Sequence, residues 1–289
     1  MIEPLLFADA TFDARVTALR ASLRALGSCI VAYSGGVDSS VVLAVAREEL
    51  GARALAVIGR SATYASSELE LALAQARQLG IEPRVVATAE LDDPRFVSNP
   101  SNRCYFCKGE LYVQLAALAR SEGYAVVIDG TNADDLADHR PGRRAADEHA
   151  VRSPLAELGF TKADVRALAH RLGLPSAEKP AMPCLSSRFP YGTKITAAQL
   201  TQVEAGEAWF RERGFHDVRL RHHGSVARLE LEPGAFTRLV DSPLREECVD
   251  ALKRLGFAYV ALDLQGFRSG SLNETLPAVP VALTRRSNS

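Results

Sequence analysis

Between residues 29 and 130, short apolar runs alternate with stretches of helical period. CIVAY precedes SSVVLAVAREEL, ALAVI precedes SSELELALAQARQLG, RVVA precedes the segment that opens with NRCYFCK, and AVVID closes the series. Runs of this length are too short for buried helices, and their alternation with helical periods predicts a parallel sheet with crossover helices, an α/β fold. In the second helix Leu69, Leu73, Ala76 and Leu79 fall on one stripe, the face turned to the core. In such sheets ligands gather at the carboxyl ends of the strands.

Regularity then gives way to loops around one clear helix. Thr161 and Asp164 have the spacing of a capping box, Val165, Leu168, Ala169 and Leu172 form the apolar face, and Gly173 and Pro175 stop it. The proline-rich stretch SAEKPAMPCLSSRFPYGTKIT reads as a connecting loop. A second unit follows: a helix over 196–212, strands near 217–222 and 225–232, a helix near 243–255 and a strand at FAYVALD, a small α+β domain. The reading therefore divides the chain into 1–194, 195–275 and a frayed tail, 276–289.

Composition narrows the function. With 34 basic against 35 acidic residues, no broad cationic field recruits a nucleic acid, and a small substrate is the expectation. No apolar run approaches the roughly 18 residues of a membrane span, and the N-terminus lacks the basic and apolar regions of a secretory signal, so the expectation is a cytoplasmic protein without membrane contact. Five cysteines in such a chain argue for free, ligating or catalytic thiols rather than disulfides. Cys29 and Cys248 sit in apolar contexts and read as small buried hydrophobes; Cys104, Cys107 and Cys184 remain.

AYSGGVDSSVVL is the most specific stretch. A strand ends at Tyr33, Ser34 to Asp38 make a tight turn, and Ser39 opens a helix, so unpaired amides and the positive helix end face an anion. Lacking the lysine of GxxxxGK[ST], it is not that phosphate loop. SGGxDSS resembles the PP-loop of ATP pyrophosphatases, which grip pyrophosphate while an oxygen of the substrate attacks the α-phosphate. On this resemblance Ser34, Gly35, Gly36, Val37, Asp38, Ser39 and Ser40 hold ATP; Gly130 and Thr131 of DGTNADD face the nucleotide, and Arg60, just after the second strand, lies where nucleotide contacts are expected. Asp134 or Asp135 is either a Mg²⁺ ligand or a helix-capping residue.

Cys104 and Cys107 form a CxxC, which suits half a zinc site, a redox dithiol, part of an iron–sulfur site or no site at all. Structural zinc wants four ligands, and no second such pair appears, although His139, His149 and His170 could each lend one nitrogen to such a site. A third cysteine, Cys184 in PCLSSR, suits a [4Fe-4S] cluster with three protein thiolates and one open iron, a pattern that resembles some tRNA-thiolating PP-loop enzymes.

Taken together, SGGVDSS, NRCYFCK, GTNADD, SPLAELGFTKADVRALAHRLGLP, KPAMPCLSSRFPYGT and GFRSGSLNE resemble the LarE family over nearly all of residues 20–275. The resemblance implies an adenine nucleotide α-hydrolase-like PP-loop domain and an oligomer. It further implies ATP-dependent sulfur transfer to pyridinium-3,5-biscarboxylic acid mononucleotide, one carboxylate being adenylated and converted to a thiocarboxylate. In the well-known form of the family the cysteine at the position of Cys184 gives up its own sulfur. The additional Cys104 and Cys107 depart from that form and favour a cluster-bound sulfide, with a sulfide or sulfur donor as partner. Arg188 could favour a thiolate at Cys184.

In the second domain strand alternation sets Arg219, Arg221, Arg228 and Glu230 on one face, opposite Val218, Leu220, Ala227, Leu229 and Leu231. Arginines suit phosphate and carboxylate, and the resemblance assigns Arg188, Arg219 and Arg221 to substrate. Glu207, on the stripe of Leu200, Val203 and Phe210, and Glu230 are, with Asp135, candidate divalent-cation ligands; His222 and His223 read as exposed turn residues. The rival readings are a tRNA thiolase of the same superfamily and an ATP-dependent amidotransferase whose thiols are structural.

Overall fold

A computed structural model of the chain describes residues 10–137, 141–180, 182–241, 243–268 and 270–275. The tail expected to fray lies outside them. The chain divides into two compact units, one of residues up to 186 with 191–201, the other of 187–190 with residues from 202 onward.

In the first unit helix α1 (Ala10–Ala25) leads into β1 (Cys29–Ala32), α2 (Val37–Leu50), β2 (Ala54–Arg60), α3 (Ser66–Gln78) and β3 (Arg84–Ala87). Then come α4 (Arg103–Glu122), β4 (Val126–Ile128), α5 (Pro141–Glu148) and α6 (Lys162–Arg171). The four strands are parallel in the order β3-β2-β1-β4, as the alternation predicts. β1 is central and apolar, and α2 beside it is buried almost all round, from Val41 to Ala46. β3, at the edge, is mostly exposed. The order in the chain reverses direction across β1, so the loops after β1 and β4 open onto the carboxyl edge between them.

The capping box is present: Asp164 N donates to Thr161 Oγ1 at 3.2 Å, and Thr161 N donates to Asp164 Oδ2 at 2.9 Å. α1 and α5 were not expected. α1 packs its Val16, Leu19 and Leu23 stripe into the core, whereas α5 buries only a short stripe that includes Ala145 and Ala146, too little for sequence periodicity to register.

The second unit carries α7 (Ala197–Glu212) from residue 202 onward, the antiparallel pair β5 (Val218–His223) and β6 (Val226–Leu231), α8 (Leu244–Arg254) and β7 (Tyr259–Leu262), which runs parallel to β6. These match the expected elements to within two residues. Gly206 lets α7 lie close on the sheet, since a Cβ there would stand 2.2 Å from Leu220 Cδ1. His222 is not an exposed turn residue. It is buried in β5, its ring stacked on Phe189 at 5.1 Å, with Nε2 3.2 Å from Gln202 Oε1; burial holds its imidazole below the usual histidine range.

Candidate active site

The loop after β1 turns more tightly than expected, because the helix starts at Val37 and Gly36 is its extended N-cap. Two glycines make the geometry possible. Gly35 has φ +66° and its Cβ would meet Ala72 Cβ at 2.6 Å; at Gly130 a Cβ would stand 2.5 Å from Ser39 N, so the loop after β4 presses directly on the start of α2. Ser39 Oγ accepts from Ser34 N at 3.2 Å and lies 3.2 Å from Ser34 Oγ, and Tyr64 OH donates to Ser34 O at 2.8 Å. These contacts tie the loop into one conformation, which lowers the ordering cost of binding an anion.

A cavity of about 280 Å³ opens on one side of this loop, lined by Ser34, Asp38, Ser39, Gly130, Thr131 and Asp135, with Lys108 of α4 at its wall. Its floor is fixed by the buried Asp129, which accepts from Tyr112 OH (2.8 Å), Thr131 N (3.0 Å), Thr131 Oγ1 (2.8 Å) and Ser153 Oγ (2.7 Å). Asp38 accepts from Asn132 Nδ2 at 2.9 Å and Lys162 Nζ at 2.5 Å. A second, smaller cavity on the other side is lined by Gly36, Asp38, Glu68, Lys162 and Lys179. Lys179 Nζ meets Glu68 at 2.8 Å and Gly35 O at 3.2 Å. The sequence reading missed Lys108, Lys162 and Lys179, since nothing near them in sequence marks a phosphate contact. Arg60, at the exposed end of β2, lines neither cavity. Asp134 Oδ2 accepts from Lys162 N at 2.8 Å, and Asp135 Oδ2 from Asn132 N at 3.2 Å. Asp38 and Asp135, carboxylates within one cavity, are of the kind Mg²⁺ takes beside phosphate oxygens.

No disulfide joins the five cysteines. Cys29 and Cys248 are buried, and burial pushes each thiol up to about 12, so they are inert. Cys104 and Cys184 are exposed and Cys107 is half-buried in the first turns of α4. Burial pushes the Cys107 thiol well up, and the charges of Glu90, Cys184 and Cys104 push the same way. Leu185 N donates to Thr63 O at 2.8 Å, and Thr63 Oγ1 to Glu90 beside Cys107, so the Cys184 segment lies in the neighbourhood of the CxxC. Among the described residues no group of three or more His, Cys, Asp or Glu could hold a single metal ion.

The same neighbourhood contains a carboxylate that the sequence reading missed. Glu90, in the short turn after β3, is 2% exposed; its Oε1 accepts from Ser61 Oγ (2.5 Å) and Thr63 Oγ1 (2.9 Å) and lies 3.9 Å from Cys107 Sγ. Its Oε2 is buried without a hydrogen-bond partner.

In the second unit Arg188 is 1% exposed and gives Nε and Nη2 to Glu207 at 2.8 and 3.0 Å. Glu207 also accepts from Leu220 N at 3.1 Å. Arg221 donates to Ser187 O (2.7 Å), Glu230 Oε2 (2.7 Å) and Ser271 Oγ (2.8 Å), and Arg228 to Glu230 Oε1 (2.8 Å) and Asp263 Oδ2 (3.0 Å). The register pairs Arg219 with Glu230 and Arg221 with Arg228, the face that alternation predicts. Glu207 and Glu230, candidate cation ligands by sequence, are instead committed to arginines, because a carboxylate this buried needs a fixed counter-charge.

Arg188, Arg221, Arg228, His223 and Arg268 line a pocket of about 130 Å³; the Nε atoms of Arg221 and Arg228 are themselves buried without a hydrogen-bond partner. Arg219 does not line it; its guanidinium lies over Phe267 at 4.9 Å and gives Nη1 to Val218 O, and burial, then the Arg188 charge, pulls it down to about 10. Arg268 enters the pocket from the last loop and was not anticipated.

The asparagine synthase family model matches residues 13–182. An uncharacterised protein of Synechocystis sp. is 46% identical over 91% of this chain and 98% of its own length. The pyridinium-3,5-bisthiocarboxylic acid mononucleotide synthase of Lactiplantibacillus plantarum is 39% identical over 94% of this chain and 99% of its own. The GMP synthase of Aeropyrum pernix is 30% identical over only 50% of this chain and 31% of its own, a likeness too short to include both units. With a PP-loop, a parallel sheet and end-to-end similarity to the Lactiplantibacillus synthase, the chain belongs to the LarE family of PP-loop, ATP-dependent sulfur transferases.

Proposed function

We propose that this enzyme adenylates a carboxylate of pyridinium-3,5-biscarboxylic acid mononucleotide and replaces one of its oxygens by sulfur, with Cys184 as the residue that handles the sulfur. The observation that carries the reading is the shared neighbourhood of Cys104, Cys107 and Cys184 in the unit that holds the PP-loop. The Ser34–Ser40 loop, Gly130 and Thr131 receive ATP, Lys108, Lys162 and Lys179 offset phosphate charge, and Asp38 and Asp135 hold Mg²⁺. A substrate carboxylate oxygen attacks the α-phosphate, the α–β bridging bond breaks and pyrophosphate leaves. A sulfur nucleophile then adds to the acyl carbon and AMP departs.

Cys104, Cys107 and Cys184 would hold a [4Fe-4S] cluster, which supplies an open iron for an exchangeable sulfide; without it, the Cys184 thiolate is itself the nucleophile, and from the resulting thioester a base takes the Cα proton, the Cβ–S bond breaks, dehydroalanine forms and the thiocarboxylate leaves. The residues favour the first route, because a sacrificial cysteine needs no CxxC beside it. Arg188, Arg221, Arg228 and Arg268 hold the substrate's phosphate or second carboxylate, since guanidinium groups suit such anions. Arg219 steadies that wall rather than touching substrate. In the division 1–194 and 195–275, the first part carries the adenylation chemistry and the second the substrate anion and self-association. ATP and reactive thiols both suit the reducing cytoplasm.

Anaerobic purification with iron and acid-labile sulfide analysis tests the route. About four irons per chain and an unchanged protein mass after turnover support the cluster; loss of one hydrogen sulfide from Cys184 would establish sacrifice instead.

A further inference from the structure

The two cysteine segments are far apart in sequence, and one residue touches the structure that supports each. Thr63 lies just past the carboxyl end of β2. Its hydroxyl donates to Glu90 Oε1 at 2.9 Å, the same oxygen that takes Ser61 Oγ and lies 3.9 Å from Cys107 Sγ. Its carbonyl accepts the amide of Leu185, the residue after Cys184, at 2.8 Å. Ser61 and Thr63 are themselves locked, with hydroxyl oxygens 2.8 Å apart and Thr63 N donating to Ser61 Oγ at 3.1 Å.

We propose that Ser61, Thr63 and Glu90 form a clamp that sets the Cys107 thiol against the Cys184 segment, making all three positioning residues for the sulfur chemistry. A buried carboxylate with one unpartnered oxygen carries an uncompensated desolvation penalty, one that packing alone does not require at this loop. An apolar side chain would fill the place more cheaply; a carboxylate anchors two hydroxyls and a thiol at one point. The clamp is not the only tie between the segments. Gly192 N donates to Asn99 O at 2.9 Å, Arg103 gives Nη1 to Asn99 Oδ1 at 3.1 Å, and its guanidinium lies over Tyr191 at 5.0 Å. Removal of the clamp therefore loosens the thiols without freeing the whole loop.

The inference rests on the reading that these thiols act together, and cross-linking separates the two. In full-length Cys104→Ser protein, a short bis-maleimide is used to join Cys107 to Cys184, with the linked peptides measured by mass spectrometry. Thr63→Val, which removes the hydroxyl and keeps the carbonyl, and Glu90→Ala are each expected to slow the link about tenfold, the scale on which small misplacements act in intramolecular reactions. Labelling of Cys184 by a single maleimide is expected to proceed at least as fast as before, and Thr63→Ser to restore the link. Rates that stay within about twofold in both variants would overturn the clamp. If Thr63→Val does not fold, Ser61→Ala decides in the same way. Failure of the parent to link at all would overturn the shared-neighbourhood reading beneath it.

Discussion

Arg188 meets Glu207 through two parallel hydrogen bonds of 2.8 and 3.0 Å, with both side chains 1% exposed. Glu207 sits on the buried stripe of α7, and Arg188 follows Cys184 by four residues, so this ion pair fixes an arginine close in sequence to Cys184. Breaking it by Glu207→Ala leaves a guanidinium buried without its counter-charge and is expected to cost about 3–5 kcal/mol. Urea unfolding measures the loss. Replacing both partners with methionine should recover most of it, since a buried pair exchanged for apolar side chains of similar volume is close to neutral.

Lys162 and Asp38 meet at 2.5 Å on the PP-loop. Lys162→Met removes one charged donor from the phosphate side and is expected to weaken ATP binding by about 1.5–3 kcal/mol, the range for hydrogen bonds to charged groups. Calorimetric titration of ATP checks it, with substrate binding to the free enzyme unchanged.

Arg268 lines the arginine pocket from the loop after β7, where it pairs with Glu274 at 3.2 Å and gives Nη1 to Gly266 O at 3.3 Å. Arg268→Met should therefore leave the fold intact, weaken substrate binding roughly tenfold and lessen its salt dependence. A substrate titration at two ionic strengths separates this outcome from no effect.

His222 carries a pH signature. Burial lowers its folded-state value below the ordinary 6.5, so the unfolded chain binds the proton more readily. Its contribution is flat above about pH 6.5; stability falls as pH drops from there toward the folded-state value, where the loss is complete. His222→Phe keeps the stack on Phe189 and should flatten the dependence between pH 7 and 5. Thermal melts across that range, parent against variant, read it directly.

Much of this was legible because the signals are local. The Thr161–Asp164 box, the glycines of the PP-loop and the two-residue alternation of Arg219, Arg221, Arg228 and Glu230 each follow from neighbours in sequence, and the structure has all three. Glu90, Lys162 and Lys179 were not legible. Each gains its meaning from a residue more than 15 positions away, Cys107, Asp38 and Gly35 in turn, and TAELDDP gives no hint that its glutamate turns inward. His222 was misread for a related reason: the hairpin turn lies one residue later, at Gly224 and Ser225, which puts the histidine on a strand under Phe189. Glu207, read as a candidate cation ligand, takes its partner from the 187–190 segment, a contact that no sequence neighbour announces.

The most direct test follows pyrophosphate release and product mass together during incubation of the anaerobic enzyme with ATP, Mg²⁺ and pyridinium-3,5-biscarboxylic acid mononucleotide, parent beside Cys184→Ala. The account predicts that the parent exchanges one carboxylate oxygen for sulfur, whereas the variant still releases pyrophosphate and forms at least about 10³-fold less thiocarboxylate, as loss of a reacting group does. Thiocarboxylate formed by the variant at the parent's rate would contradict it.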